Sequence, residues 1–265
     1  MLCHLTHFFS LDLPLSADLI PIVAFILFIS SLIQGAVGFA FGLIALTFLT
    51  LLGIELTTIV PLLLTAGLAQ LLVGVYKLHN HIQYEPLIKG SVIRYITLPL
   101  GILSLGYITT TIDKDQIEQL VGLLILGIVV LQLIVRPHPR EKLHPFWTFI
   151  AFGASGYTAG LIAVGGPPIV LWVMAHKWTN GQIRSFLFAS FLASAPINAV
   201  VLYFVLGDSV FSPMLYGLAF SPLIALGSHL GVKLGHAFSP EKLRTIAFSI
   251  LAISSLSSIA APLLH

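Results

Sequence analysis

The sequence contains a single cysteine, Cys3, and few charged residues. One cysteine excludes an intramolecular disulfide and any metal site built from several thiolates. Charged residues make up 8% of the 265 positions, whereas hydrophobic residues make up 57%. A water-soluble globule of this composition would lack the polar surface to cover its core, so we expect an all-α polytopic membrane protein. The net charge of +2 is too small to indicate nucleic-acid binding.

Motifs of membrane-embedded enzymes are also missing. The sequence has no His-Glu-x-x-His, no Gly-x-Ser-x-Gly and no paired Asp in an apolar segment, which disfavours an enzyme. Without a nucleotide-binding loop, the chain does not itself hydrolyse ATP, and no cofactor or resident metal is expected. All ten Asp and Glu residues lie at segment ends or in loops, whereas many cation carriers bury a carboxylate. A metal-ion permease or channel is therefore the less favoured alternative to an anion carrier.

Apolar runs divide the chain into eight segments, four in each half. The first segment of each half is longer than the ~20 residues that span a bilayer. The predicted units are residues 1–135, a short connector at 136–145, and residues 146–265. The eight segments are 19–52, 57–75, 92–108, 117–135, 146–175, 183–206, 213–230 and 243–264.

Each long segment carries the same glycine-rich motif. Residues 35–45, GAVGFAFGLIA, return at 153–163 as GASGYTAGLIA, with seven identities at an offset of 118 residues. Duplicated units with glycine-interrupted segments often mark the binding site of a transporter. A weaker match aligns Gly101 with Gly227 at an offset of 126. The eight-residue change predicts a longer second segment or loop in the C-terminal unit.

The distribution of Lys and Arg predicts the topology. If all eight segments crossed the membrane once, the basic loops of the two halves would lie on opposite sides, against the positive-inside rule. If each long first segment is instead a hairpin that breaks at the glycine motif and leaves on the side it entered, eleven of the twelve basic residues face the cytoplasm and only Lys114 lies outside. This topology makes the two units inverted repeats, each a hairpin followed by three helices, with both termini extracytoplasmic.

The two breaks are predicted to meet inside the protein, because non-helical backbone at membrane depth requires protein or an aqueous cavity around it. Helix starts at a break present unpaired N–H groups and the positive end of the dipole, which suits an anion. Glycines at these spacings also permit close helix packing, and that alternative stays open. The predicted backbone contacts to substrate are Gly35, Gly38, Gly42, Gly153, Gly156, Gly160, Gly165, Gly166 and Pro167.

The two hairpins are not equivalent in sequence. Only the second continues into Gly165-Gly166-Pro167-Pro168, a run that disfavours a continuous helix and predicts the start of the outgoing arm at Pro167 or Pro168. We therefore expect the second hairpin to be the better candidate for holding the substrate.

Neutral polar side chains provide further candidate contacts. Ser190, Ser194 and Asn198 are spaced four residues apart on one helical face, Gln34 adjoins the first motif, and Thr158 lies in the second. These groups can hydrogen-bond an oxyanion without trapping it, or they can join neighbouring helices. Two further polar residues, Thr65 and Gln70, lie in the second segment and are candidates of the same kind.

Three ionisable residues are candidates for handling anions or protons. Arg94 and Arg184 lie near cytoplasmic segment ends, where we expect them to snorkel to the surface and attract an anion to the inner mouth. His229 is the deepest ionisable group and a candidate proton carrier near neutral pH, with a packed or interfacial histidine as the alternative.

The duplicated motif, the Leu-Ile-Ala that follows each copy, the Gly-Gly-Pro-Pro run and the four-plus-four organisation resemble the sulfite exporter TauE/SafE family. The resemblance covers nearly the whole chain and is sharpest at residues 34–45 and 153–168. It implies a plasma-membrane carrier for small sulfur-containing or organic anions such as sulfite or sulfoacetate, commonly moving them out of the cell.

Overall fold

A computed structural model describes residue 16, residues 18–37, 40–135 and 137–235, and the single residues 249 and 252. Within these ranges the chain is helical and contains no β-strand. Short 3₁₀ turns at His79–His81 and Gly207–Val210 join some of the helices. The α-helices are α1 (Leu19–Val37), α2 (Phe41–Leu51), α3 (Leu56–Ala66), α4 (Leu68–Leu78), α5 (Tyr84–Thr111), α6 (Lys114–Ile134), α7 (Pro145–Ile162), α8 (Gly166–Met174), α9 (Asn180–Leu206) and α10 (Phe211–Gly235).

Five helical ranges are long and apolar enough to cross a bilayer: Leu19–Ala36, Leu56–His81, Tyr84–Thr111, Lys114–Ile134 and Asn180–Gly231. The last range contains α9 and most of α10. In the second range, α3 and α4 form one nearly continuous helix, since the Leu71 N–H donates to the Gly67 carbonyl at 3.2 Å. These spans confirm an all-α, multi-pass membrane protein. The segment predicted at 243–264 and both chain termini lie outside the described ranges.

Corresponding helices of the two halves start at a nearly constant separation in the sequence. Corresponding helices begin at residues 19 and 145, 41 and 166, 56 and 180, and 84 and 211, so each pair is separated by 124 to 127 residues. This separation agrees with the weaker sequence match at an offset of 126. The stronger motif match at 118 is therefore shifted by eight residues, about two helical turns. The predicted extra length is present in the second segment and its loop but amounts to three residues rather than eight, since the starts of α9 and α10 are 31 residues apart and those of α3 and α5 are 28 apart.

The two most extensive helix contacts are reciprocal between the halves. Helix α7 packs along α5, and α1 packs along α10. A methyl group added at Gly101 of α5 would overlap the Tyr157 carbonyl oxygen, and one at Gly227 of α10 would lie 2.8 Å from the Phe28 carbonyl oxygen. Small residues permit such close backbone approach where lipid provides no hydrophobic force between helices. Each half thus holds the first helix of the other against its own third segment.

Candidate functional site

Both long first segments are broken, as their excess length predicts. Helix α1 ends at Val37 and α2 begins at Phe41, after Ala40 in the left-handed region at φ 93°. Helix α7 ends at Ile162, followed by Ala163 at φ 58°. The outgoing helix α8 begins at Gly166 with proline in its first turn, close to the expected start at Pro167.

The second break lies at the last residue of the repeated motif and not among its glycines. Helix α7 runs without interruption through Gly153, Gly156 and Gly160, so a break at Gly153–Gly156 is wrong. A glycine inside a helix costs only about 1 kcal/mol, which close packing on a neighbour can offset. Proline removes an N–H and fixes φ, and it is tolerated at a helix start. The physical breaker is therefore the Gly165-to-Pro168 run.

The two breaks meet at one cavity of about 140 Å³. A methyl group added at Gly42 would lie 2.9 Å from the Ala163 carbonyl oxygen, so the first turn of α2 approaches the end of α7. In another protein, a cavity of about 150 Å³ holds a six-carbon ring. The space therefore suits a solute of a few non-hydrogen atoms.

The starts of α2 and α8 line this cavity, which is bordered by Ala40 to Leu43 and by Gly165 to Pro167. The Phe41 N–H donates to the Gln34 side-chain oxygen at 2.8 Å. The N–H groups of Gly42 and Leu43 belong to the first turn and have no acceptor within the helix. In α8, Pro167 and Pro168 have no N–H, which leaves Gly166 as the donor of that turn.

Arg94 is the charged residue of this cavity. Its side chain lines the cavity although the residue is only 2% exposed. One guanidinium nitrogen donates to the Ser190 carbonyl at 3.2 Å, and the guanidinium carbon lies 5.3 Å from the centre of the Phe191 ring. Its Nε has no hydrogen-bond partner in the described part of the chain.

The expectation that Arg94 snorkels to the surface is wrong. The apolar run was predicted to begin at residue 92, whereas α5 begins at Tyr84. The extra turns carry the exposed Glu85–Lys89 ion pair at 2.7 Å. Arg94 consequently lies about three turns inside the helix, too deep for its side chain to reach the surface.

The electrostatics of this cavity favour an anion. Neither ion pair found among the described residues, Glu85–Lys89 and Glu141–Lys177, involves Arg94. A buried charge without a counter-ion costs several kcal/mol. The dipoles of α2 and α8 add partial positive charge, each contributing at most about 2 kcal/mol to anion binding. A bound anion would offset the desolvation cost of the guanidinium, and it could accept hydrogen bonds from N–H groups in the first turns of α2 and α8.

Neutral polar side chains complete the wall. Four of the polar residues singled out in the sequence, Gln34, Gln70, Ser194 and Asn198, line the cavity. The side-chain oxygens of Gln70 and Asn198 are buried without a hydrogen-bond partner in the described residues. Gln70 is the one amide residue in its predicted segment. Thr65 instead joins helices, donating to the Met214 carbonyl at 2.8 Å.

Four of the predicted glycine contacts lie in helix packing and do not line the cavity. Gly35 packs against Ser228, Gly156 against Thr97 and Gly160 against Leu98. Gly153 makes only ordinary contacts, the nearest being the Thr97 methyl group. Gly38 lies outside the described residues.

Four of the predicted side chains also lie away from the cavity wall. The Thr158 hydroxyl donates to the Ala154 carbonyl at 2.9 Å within α7. Ser190 is fully buried, and it contributes its carbonyl to Arg94. Arg184 is half-buried in α9 and His229 is exposed on α10. Their roles as substrate, anion or proton contacts stay predictions.

Comparison with known proteins identifies the family. The family described as "Sulfite exporter TauE/SafE" matches residues 23–258, nearly the whole chain. A curated relative from Cupriavidus necator, named as a probable sulfite/organosulfonate exporter TauE, is 24% identical over 225 residues, 82% of this chain and 85% of the relative. No solved structure matches the chain significantly. The chain belongs to the sulfite exporter TauE/SafE family, and it is a membrane transport protein rather than an enzyme.

Proposed function

We propose that the chain is a secondary transporter that exports small anions such as sulfite or organosulfonates across the plasma membrane. The observation that carries this proposal is Arg94, a buried guanidinium with no carboxylate partner among the described residues, at a cavity between two helix breaks. The name of the Cupriavidus necator relative supports the substrate class. The neutral polar wall supports transient binding, since neutral groups contribute less to affinity than further cations would.

The proposed mechanism is alternating access between two inverted repeats, residues 1–135 and 146–265, joined by the connector at 136–145. The common register of the helices and the reciprocal packing of α1 and α7 support this arrangement. The hairpin topology, with both termini outside, rests on the placement of the basic residues. Rocking of one repeat against the other would open the cavity to each side in turn.

Flux into liposomes tests the function. Purified protein should transport sulfite and methanesulfonate saturably, and Arg94→Gln should weaken anion binding on the order of 100-fold, about 3 kcal/mol. Lys89→Gln is the matched control, because it removes a charge from the same helix at an exposed position. Flux of divalent metal ions without anion flux would favour the metal-permease alternative and reject the proposal.

The stability of Arg94→Gln without ligand provides a second readout. Because an unpaired buried charge is costly, the variant should unfold at a temperature at least as high as the parent protein. Anion should then raise the midpoint of the parent and leave that of the variant unchanged. A variant that unfolds well below the parent would instead indicate a structural role for Arg94.

A further inference from the structure

The charge balance of the cavity restricts the charge of its ligand. Arg94 is the one ionisable side chain among the described residues that line the cavity. Its charge can neutralise a single negative charge. A dianion would leave one negative charge buried with only backbone dipoles and neutral groups to stabilise it, and those compensate a full charge incompletely.

The wall also offers hydrogen-bond acceptors, which a fully deprotonated oxyanion cannot use. The side-chain oxygens of Gln70 and Asn198 are buried at the cavity and lack a donor in the described part of the protein. Unsatisfied buried acceptors are costly, and an O–H group on the ligand would satisfy them. A protonated oxyanion supplies such a donor, whereas its dianion supplies none.

We propose that this cavity selects monoanions over dianions and binds sulfite as hydrogen sulfite, with the negative oxygens toward Arg94 and the O–H toward the amide oxygen of Gln70 or Asn198. This inference rests on the proposed function and specifies the substrate class of the same site. Sulfonates with one acidic group fit it, because they carry one negative charge at all physiological pH values. Sulfate and sulfoacetate carry two negative charges and should bind more weakly, although the family resemblance includes sulfoacetate among the expected substrates.

Three ligands separate charge from shape in a binding experiment on the full-length protein. Methanesulfonate and sulfate are nearly the same size and differ by one charge. Sulfite changes from monoanion to dianion near neutral pH, while a guanidinium keeps its proton. Affinities are measured by thermal shift and by competition with sulfite flux, at mildly acidic and at mildly alkaline pH.

Sulfate should bind on the order of 100-fold more weakly than methanesulfonate. The affinity for sulfite should fall with the fraction of hydrogen sulfite, approaching about tenfold per pH unit on the alkaline side. Methanesulfonate affinity should stay constant, which controls for titration of the protein. Sulfate binding as tight as that of methanesulfonate, or sulfite binding without pH dependence, would overturn the charge selection while leaving anion transport intact.

A substitution at Gln70 tests the hydrogen bond separately. Gln70→Met keeps the length of the side chain and removes the acceptor, so hydrogen sulfite should bind about fivefold more weakly while methanesulfonate is unaffected. Asn198→Leu is the parallel test of the second acceptor. Equal loss for both ligands in both variants would contradict the orientation, and absence of binding by any anion to the parent protein would reject the proposed function as well.

Discussion

The third segments of the two halves share a scaffold but differ in charge. Arg94 precedes Gly101 by seven residues in α5, and Phe220 precedes Gly227 by seven residues in α10. Both glycines permit close contact with the first helix of the other half. Only Arg94 lines the cavity, whereas Phe220 lies in the apolar core. The two halves therefore share the same helix packing, but at this position only the N-terminal half contributes a cationic side chain to the cavity.

The two breaks differ in a similar way. At the start of α2, the N–H groups of Gly42 and Leu43 have no acceptor within the helix, whereas prolines leave the first turn of α8 with the N–H of Gly166. Sequence reasoning favoured the second hairpin for holding the substrate because it contains the stronger breaker. The first hairpin therefore has more backbone N–H donors in its first turn than the second hairpin has. The residues that break a helix best are thus not those that best bind an anion at the break.

Removing the charge from one half should have the largest effect. Arg94→Gln should weaken anion binding on the order of 100-fold, whereas Phe220→Leu at the corresponding position should change it less than about threefold. Isothermal titration with methanesulfonate measures both. Equal losses would show that the halves contribute equally, against the asymmetry described above.

Adding a methyl group at the two reciprocal helix contacts should have the next largest effect. The loss of stability should be the same in both halves. Gly101→Ala and Gly227→Ala should each lower the free energy of unfolding by about 1–3 kcal/mol, because the added methyl meets backbone atoms. Gly127→Ala is the control, since no atom lies within 4 Å of the added carbon. Detergent unfolding curves measure the change. A cost in only one half would break the proposed equivalence of α5 and α10.

The position of the second break predicts two smaller effects of the same sign. Gly153→Ala should stabilise the protein by about 0.5–1 kcal/mol, because Gly153 lies inside a helix with room for a methyl group. Ala163→Gly should stabilise it by up to about 1 kcal/mol by relieving the left-handed backbone at φ 58°. Destabilisation by both substitutions would indicate that the break lies among the glycines of the motif instead.

The smallest expected effect concerns the loop after α8. His176 lies between Trp172 and Trp178, with ring centres 4.1 and 4.6 Å away, and burial lowers its pKa below the ordinary value of 6.5. Since the folded state then binds fewer protons than the unfolded state, stability is present above pH 6.5 and falls as the pH drops below it.

His176→Asn should reduce this acid sensitivity of the unfolding midpoint, and the difference between the two proteins removes the contribution of the other histidines. The corresponding end of α2, at residues 51–53, has no histidine. An unchanged pH dependence in His176→Asn would show that this loop does not contribute to it.

Sequence patterns predicted the breaks but misplaced one of them. The excess length of the first segments and the placement of Lys and Arg both required interruptions, and the structure has two. The motif match at an offset of 118 misplaced the second break, because glycines three or four residues apart recur along close helix contacts and permit an alignment shifted by two turns. The predicted helix ends also caused an error. Because α5 begins at Tyr84 and not at residue 92, Arg94 lies inside the helix and is buried.

Composition and periodic apolar runs alone determined that this chain is a helical membrane protein, because a bilayer requires long apolar segments whose backbone groups bond internally. Only the tertiary structure decided which polar residues share a cavity. Arg94, Gln70 and Asn198 come from three separate helices, and their convergence depends on how those helices pack. The same packing decided that the glycine motif of α7 lies in a helix contact. Sequence alone cannot distinguish a glycine at a helix break from a glycine at a helix–helix interface.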